Sequence, residues 1–159
     1  MILPRYHIAA STIQGAGKGL FTDEPILPGQ VVTAPDGIDQ VFSLARILGS
    51  PELKTQFSAS ARWFEDHYTL SPDWPDECYI NHSFTPTGLW HLGFVLATAA
   101  LPAGTEITVD YRHLLPPGQA EDFADTSTGR TITGYSWLDS ITDSTRALGE
   151  LLSLRQRSR

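Results

Sequence analysis

Apolar positions along the chain come in short runs broken by glycine and proline, a pattern of many brief strands and few helices. Arg5 to Ser11 alternates, with Tyr6, Ile8 and Ala10 on one side, and predicts a strand. Leu27-Pro28-Gly29-Gln30 turns the chain into a second strand at Val31 to Thr33. Leu89 to Ala99 is a long strand-like run, and Pro102-Ala103-Gly104 turns it into another from Thr105 to Tyr111. Val41, Leu44, Ala45 and Leu48 have helical spacing, closed by Gly49. Ser50-Pro51-Glu52 predicts a further helix running to Arg62 or Trp63, with proline at its first position. Pro116 to Gly134 is polar and turn-rich and reads as a loop. Thr142 to Arg157 reads as a helix capped by Thr142 or Asp143. Its apolar stripe is Ala147, Leu148, Leu151, Leu152 and Leu154, and Arg155, Arg157 and Arg159 sit at its negative end. The expected fold is mainly β with short helices, built from several small sheets and a C-terminal helix.

Composition narrows the class. A length of 159 residues suits one domain, and 41% hydrophobic with 10% aromatic residues supply a core, which excludes disordered, collagenous and coiled-coil chains. No apolar run approaches the ~20 residues that span a bilayer, and Met1 to Arg5 lacks the features of a signal peptide. The single cysteine, Cys78, excludes an internal disulfide framework and a multi-cysteine zinc cluster. A soluble, cytoplasmic protein without membrane contact is expected. Lys and Arg total 11 against 18 Asp and Glu, a net charge of -7. That balance disfavours direct nucleic-acid binding, which needs phosphate neutralisation. It suits a cationic partner, although solubility alone also accounts for it.

Three segments carry candidate chemistry. Gly15-x-Gly17-x-Gly19 lacks the spacer and the Ser or Thr of a P-loop and the interval of a dinucleotide fingerprint. It is either a tight turn or a place where backbone closely approaches a ligand. Asn81-His82-Ser83 matches a glycosylation sequon, which a non-secreted chain never presents for modification. Cys78, His82 and His91 are scattered donors without paired metal spacing, so no metal is expected; Cys78 with His82 is formally a nucleophile pair. Asn81 is a carboxamide inside an apolar stretch and needs partners if buried. Gly104 to Tyr111 alternates and ends in an acid and a phenol, as an ordinary strand end also does.

In order and spacing the three together resemble the SET-domain protein-lysine methyltransferases. The glycine loop G-x-G-K-G-L/W-F is met by Gly15 to Phe21, the aromatic-x-N-H-S-x-x-P block by Tyr79 to Pro86, and the A-G-x-E-[LI]-T-x-D-Y block by Ala103 to Tyr111. The resemblance covers roughly residues 5 to 115 and implies a SET-type fold of small sheets with knot-like threading, residues 116–159 forming a flank that packs on or closes the domain. It further implies S-adenosylmethionine as cofactor, cradled by the backbone of Lys18, Gly19 and Leu20, with Asn81 on its amino group and His82 at the adenine. Tyr68 lies where such proteins often have another cofactor-contacting tyrosine. Tyr111 is the implied catalytic tyrosine, and Tyr79 with Tyr111 lines the implied substrate-lysine channel.

Thr87 after Pro86 and Ala99-Ala100 before Leu101 depart from the family pattern. So does the lack of the flanking cysteine-rich zinc segments, which leaves Phe123, Tyr135 or Trp137 to wall the adenine and the channel. Asp66, Asp73, Asp76 and Glu77 form a candidate acidic rim for a basic, lysine-containing protein substrate. The C-terminal helix either closes the site or pairs two chains. Two other readings are a non-catalytic SET-like module that holds cofactor or peptide, and an unrelated small β domain docking through that helix.

Overall fold

The computed structural model describes residues 1–157, so Arg159, placed above at the helix end, lies outside the described residues. Among these residues the strands form five small sheets. Strands β1 (Tyr6–Ala10) and β2 (Lys18–Thr22) make an antiparallel hairpin with Ile8 opposite Leu20. Strand β3 (Val31–Thr33) joins β9 (Phe94–Ala97) and β8 (Gly88–His91) in a three-stranded sheet. Strands β4 (Val41–Ser43), β6 (His67–Thr69) and β5 (Ala61–Phe64) make another. Strand β7 (Asn81–His82) pairs in parallel with β10 (Thr108–Val109), and β11 (Ala120–Ala124) pairs antiparallel with β12 (Thr131–Thr133).

The main core gathers Leu20, Ile26, Val32, Ile80, Val95, Ala97, Leu101, Ile107 and Val109 from β2, β3, β9, β10 and the segments beside them. Burying each such aliphatic side chain contributes about 1.5–3 kcal/mol before conformational entropy is set against it. A second cluster of Ile47, Tyr68 and Leu70 lies beneath α1 (Leu44–Gly49) and α2 (Pro51–Lys54).

Several predicted elements are corrected. Residues 41–43 are strand, because Phe42 pairs with Tyr68 and Ser43 with His67; Ser43 then caps α1, accepting the Arg46 N–H at 3.4 Å. The helix starting at Pro51 stops at Lys54. Thr55 turns its hydroxyl onto the Glu52 carbonyl, and Arg62 is drawn into β5 by bonds from its backbone N–H to the Leu114 carbonyl and from its guanidinium to the His113 and Tyr135 carbonyls. The run Leu89 to Ala99 is a hairpin broken at Leu92 and Gly93, both at positive φ, the geometry of a tight primed turn. Residues 116–134, read as loop, contain β11 and β12.

The last helix, α3, spans Trp137–Arg157 and begins five residues earlier than the sequence suggests. Ser136 accepts the Asp139 N–H at 3.1 Å and donates to the Asp139 carboxylate at 2.6 Å, a reciprocal cap. Its inward stripe is Ser140, Ser144, Ala147, Leu148, Leu151 and Arg155, whereas Leu152 and Leu154 are exposed. The helix is held by His113 Nδ1 at 2.9 Å from Ser140 Oγ and His91 Nδ1 at 3.0 Å from Ser144 Oγ. Arg155 donates to the Gly29 carbonyl at 3.1 Å. No described helix is long and apolar enough to cross a membrane.

Burial lowers the pKa of both His91 and His113 below 6.5. A histidine whose folded pKa is depressed is bound by more protons when unfolded, so its contribution is complete above pH 6.5 and is lost as pH falls below that value. Denaturant unfolding at pH 7.5 and 5.5 is therefore expected to show lower stability at pH 5.5, with amide exchange rising first in α3. Equal stability at the two values contradicts this.

Candidate functional site

The parallel pairing of β7 with β10 sets Asn81 beside Thr108 and His82 beside Val109, so the second and third motifs lie shoulder to shoulder. The glycine loop reaches the same place because the Ile107 N–H donates to the Leu20 carbonyl and Phe21 bridges to Glu106. Gly15 and Gly17 adopt φ of 83° and 75°, which turns the loop tightly between β1 and β2.

At the junction lies Glu106, 6% exposed. One carboxylate oxygen accepts from Ser11 Oγ at 2.6 Å and Asn81 Nδ2 at 2.9 Å; the other accepts from the Thr12 N–H at 2.7 Å and from the Thr12 hydroxyl. Burial alone would raise its pKa, but the hydrogen bonds outweigh it and hold the carboxyl below its ordinary value. Asn81 Nδ2 also donates to the Lys18 carbonyl at 2.9 Å. Gly19 is required by this packing, since a Cβ there would stand 2.3 Å from Glu106 Oε1.

Beside this junction opens a cavity of about 1030 Å³. Its walls include the loop residues Ile13 to Ala16 and Lys18, the side of Tyr79, Asn81 and His82, Tyr111, and Glu121 and Phe123 from β11. It lies at the upper end of the ~300–1,000 Å³ typical of small-molecule sites. Tyr111 donates its hydroxyl proton to the Ile80 carbonyl at 2.7 Å, and burial raises its pKa strongly, so the phenol stays protonated. Its backbone N–H donates to His82 Nδ1 at 3.1 Å. Burial lowers the His82 imidazole pKa, and its Nε2, without a hydrogen-bond partner among the described residues, stands 3.9 Å from an Asp125 carboxylate oxygen. Lys18 Nζ sits 5.9 Å from the centre of the Tyr79 ring.

Glu121, Phe123 and Ala124 of β11 and Asp125 just beyond it all line the cavity. The hairpin is fastened by Phe84, whose ring lies 4.6 Å from the guanidinium carbons of both Arg112 and Arg130. Such contacts contribute on the order of 0.5–2 kcal/mol each. Asp125 closes the hairpin turn by accepting from Ser127 Oγ at 2.6 Å and the Thr128 N–H at 2.8 Å.

Among solved structures, the chain resembles one in the crystal structure of the Chaetomium thermophilum polycomb repressive complex 2. The match has a TM-score of 0.51 and 19% identity, and covers 68% of this chain and 15% of that one. The likeness speaks to the fold alone, and the chain spans about 15% of its neighbour's length. No family model matches the chain, and no curated protein matches it.

The structure brings together Lys18, Tyr79, Asn81, His82, Tyr111 and Phe123 around one cavity. It does not bring Tyr68 there: that ring is fully buried against Ile47, Leu70 and Phe57, because its strand pairs on both sides with β4 and β5. Gly19 and Leu20 are not in the cavity wall either. Gly19 packs on Glu106 and Leu20 enters the core, so the loop meets the cavity through residues 13–16 and 18 instead.

Of the three aromatics weighed for the missing wall, Phe123 lines the cavity while Tyr135 stacks on Arg112. Of the four rim acids, Glu77 lines the cavity; Asp66 pairs with His67 and Asp76 accepts from the Tyr6 hydroxyl at 2.7 Å. Asp36 lines the cavity too, and with Glu77 it grips the Met1 ammonium at 2.8 and 2.7 Å. Burial pushes the Cys78 thiol up to about 11, which leaves it protonated and a poor nucleophile. Glu65, Asp66 and His67 do converge within 4.8 Å, on a turn whose two acids are exposed and away from the cavity.

Sequence reasoning missed Glu106, Glu121 and Asp125. The signal for Glu106 was present: an acid flanked by Thr105 and Ile107 in an alternating run whose neighbours are otherwise apolar or small must find donors if it is buried. Gly19→Ala is expected to destabilise the protein by about 1–3 kcal/mol through overpacking. Gly37→Ala, where an added Cβ meets nothing within 4 Å, is the control and leaves the denaturant midpoint nearly unchanged. Equal midpoints for the two variants would show that Gly19 is not held against the carboxylate.

Proposed function

We propose that this chain transfers a methyl group from S-adenosylmethionine to the side-chain amine of a lysine in a protein substrate, within a SET-type fold. The observation that carries the reading is the meeting of Asn81, His82 and Tyr111 at one cavity, across the β7–β10 pair. The resemblance of the three motifs and the distant fold likeness support it. The residues fit the cofactor on one further count. Asn81 spends its amide nitrogen on Lys18 and Glu106, which leaves Oδ1 as an acceptor suited to an ammonium group.

S-adenosylmethionine, when bound, supplies a methyl group on an electrophilic sulfonium. Lysine must meet it as a neutral amine. With a reference pKa near 10.4, about one molecule in 10³ is neutral at pH 7.4, a cost of ~4 kcal/mol. Tyr79 and Tyr111 form low-dielectric walls that disfavour the ammonium and lower that cost. Tyr111 does not act as a base, because its own proton is committed to the Ile80 carbonyl and its pKa is raised. Its oxygen accepts an N–H of the entering amine and turns the nitrogen lone pair along the channel. Lys18, on the loop side of the same wall, keeps its cation over Tyr79.

The acidic balance of the chain favours basic substrates. Asp36 and Glu77 are carboxylates on the cavity wall that suit a basic partner. Cytoplasmic residence and pairing of two chains through α3 belong to the same reading and are tested separately, by fractionation and by light scattering.

Radiolabel transfer from the cofactor to a panel of lysine-rich proteins is the direct test; label on lysine is expected, and cofactor binding without transfer would instead favour the non-catalytic module. Tyr111→Phe is expected to keep cofactor affinity within about twofold while turnover falls about 10²-fold. Unchanged turnover would remove Tyr111 from the reaction.

A further inference from the structure

We infer that Glu106 is a positioning residue that fixes which end of the Asn81 carboxamide faces the cavity. The inference rests on the cofactor reading above for its ligand but not for its geometry.

The orientation follows from donor counting. Lys18 contributes a carbonyl oxygen and Glu106 an ionised carboxylate, and both only accept. The amide end beside them must therefore be the nitrogen, and the oxygen is left toward the cavity that Asn81 lines. No described protein group donates to that oxygen. With one acceptor neighbour alone the preference would be weaker, and a flipped amide would offer the cavity a donor that repels a cationic group.

The surroundings of Glu106 are specific for a carboxylate. Each oxygen faces one hydroxyl and one obligate N–H donor: Ser11 Oγ with Asn81 Nδ2 on the first, the Thr12 hydroxyl with the Thr12 N–H on the second. The hydroxyls can rotate to accept, but the two N–H groups cannot. A glutamine at this position must turn its own NH₂ toward one of them, so either Asn81 or Thr12 beyond β1 loses its acceptor. Gly19 gives the carboxylate its place, and the bonds to Ser11 and Thr12 tie it to the start of the loop whose Lys18 carbonyl is the other fixed acceptor. One buried anion thus sets the polarity of a wall that meets the ligand's charged arm.

The role separates from a merely structural one by the part of the ligand it affects. Wild type and Glu106→Gln are titrated by calorimetry with S-adenosylhomocysteine and with 5′-methylthioadenosine, which shares the nucleoside but lacks the amino-acid arm. The expected result is about tenfold weaker binding of S-adenosylhomocysteine by the variant, near the value of one hydrogen bond to a charged group, with methylthioadenosine affinity within twofold. Equal weakening of both compounds, or of neither, overturns the inference. The exchange of the Asn81 side-chain amide protons, followed by NMR without ligand, is expected to be at least tenfold faster in the variant; unchanged exchange overturns it. If the wild type binds neither compound, the cofactor reading falls and the exchange measurement alone decides the role of Glu106. Should Glu106→Gln fail to fold, Glu106→Asp keeps the charge but draws the carboxylate back from Asn81, and a folded Glu106→Asp with unchanged S-adenosylhomocysteine affinity likewise overturns it.

Discussion

Two residue pairs hold the site together: Asn81 beside Thr108 and His82 beside Val109, in parallel. Parallel strands need a long connection, and here the intervening chain forms the β8–β9 hairpin, which packs Leu89, Val95 and Ala97 into the protein. A two-residue ladder has little strength of its own. It persists because Ile80, Ile107 and Val109 around it are almost fully buried, so separating the pair would open the main core. The motifs therefore share one geometry with the hydrophobic centre, and the cavity inherits its rigidity.

A second constraint is the treatment of polar groups on the cavity wall. Both Asn81 and Tyr111 commit their donor hydrogens to protein acceptors, the first to Lys18 and Glu106, the second to Ile80. Each is then left with an oxygen able to accept a further hydrogen bond. His82 serves the same order from behind, since its Nδ1 accepts the Tyr111 N–H and burial keeps it neutral. Fixed dipoles of this kind need no reorganisation when charge is brought beside them, which is where preorganised sites gain most over water.

The three motifs were legible because each is a contiguous run whose residue types have local reasons: glycines for positive φ, a carboxamide needing partners, an alternating strand. The strands β1 and β3 and the final helix were legible from periodicity. What sequence concealed was set by distant partners. Arg62 enters a strand because carbonyls of residues 113, 114 and 135 wait for it, and nothing near residue 62 announces them. Strands β11 and β12 carry polar residues on half of their positions and owe their pairing to the Asp125 turn and to Phe84 between two arginines. The reciprocal cap at Ser136 and Asp139 was visible in the residues, yet the more apolar stretch downstream drew the helix start to Thr142. Tyr68 was misplaced because similarity of position cannot distinguish a ring in the core from one at a cavity.

The reach of Glu106 also sets a timetable. Ser11 waits for a partner 95 residues later in the chain, and Arg155 closes on Gly29 across 126 residues. At ribosomal speeds of about 5–20 residues per second, the first hairpin is synthesised about 4–17 seconds before its carboxylate anchor is polymerised. Through that interval an exposed strand edge is a template for pairing with another chain.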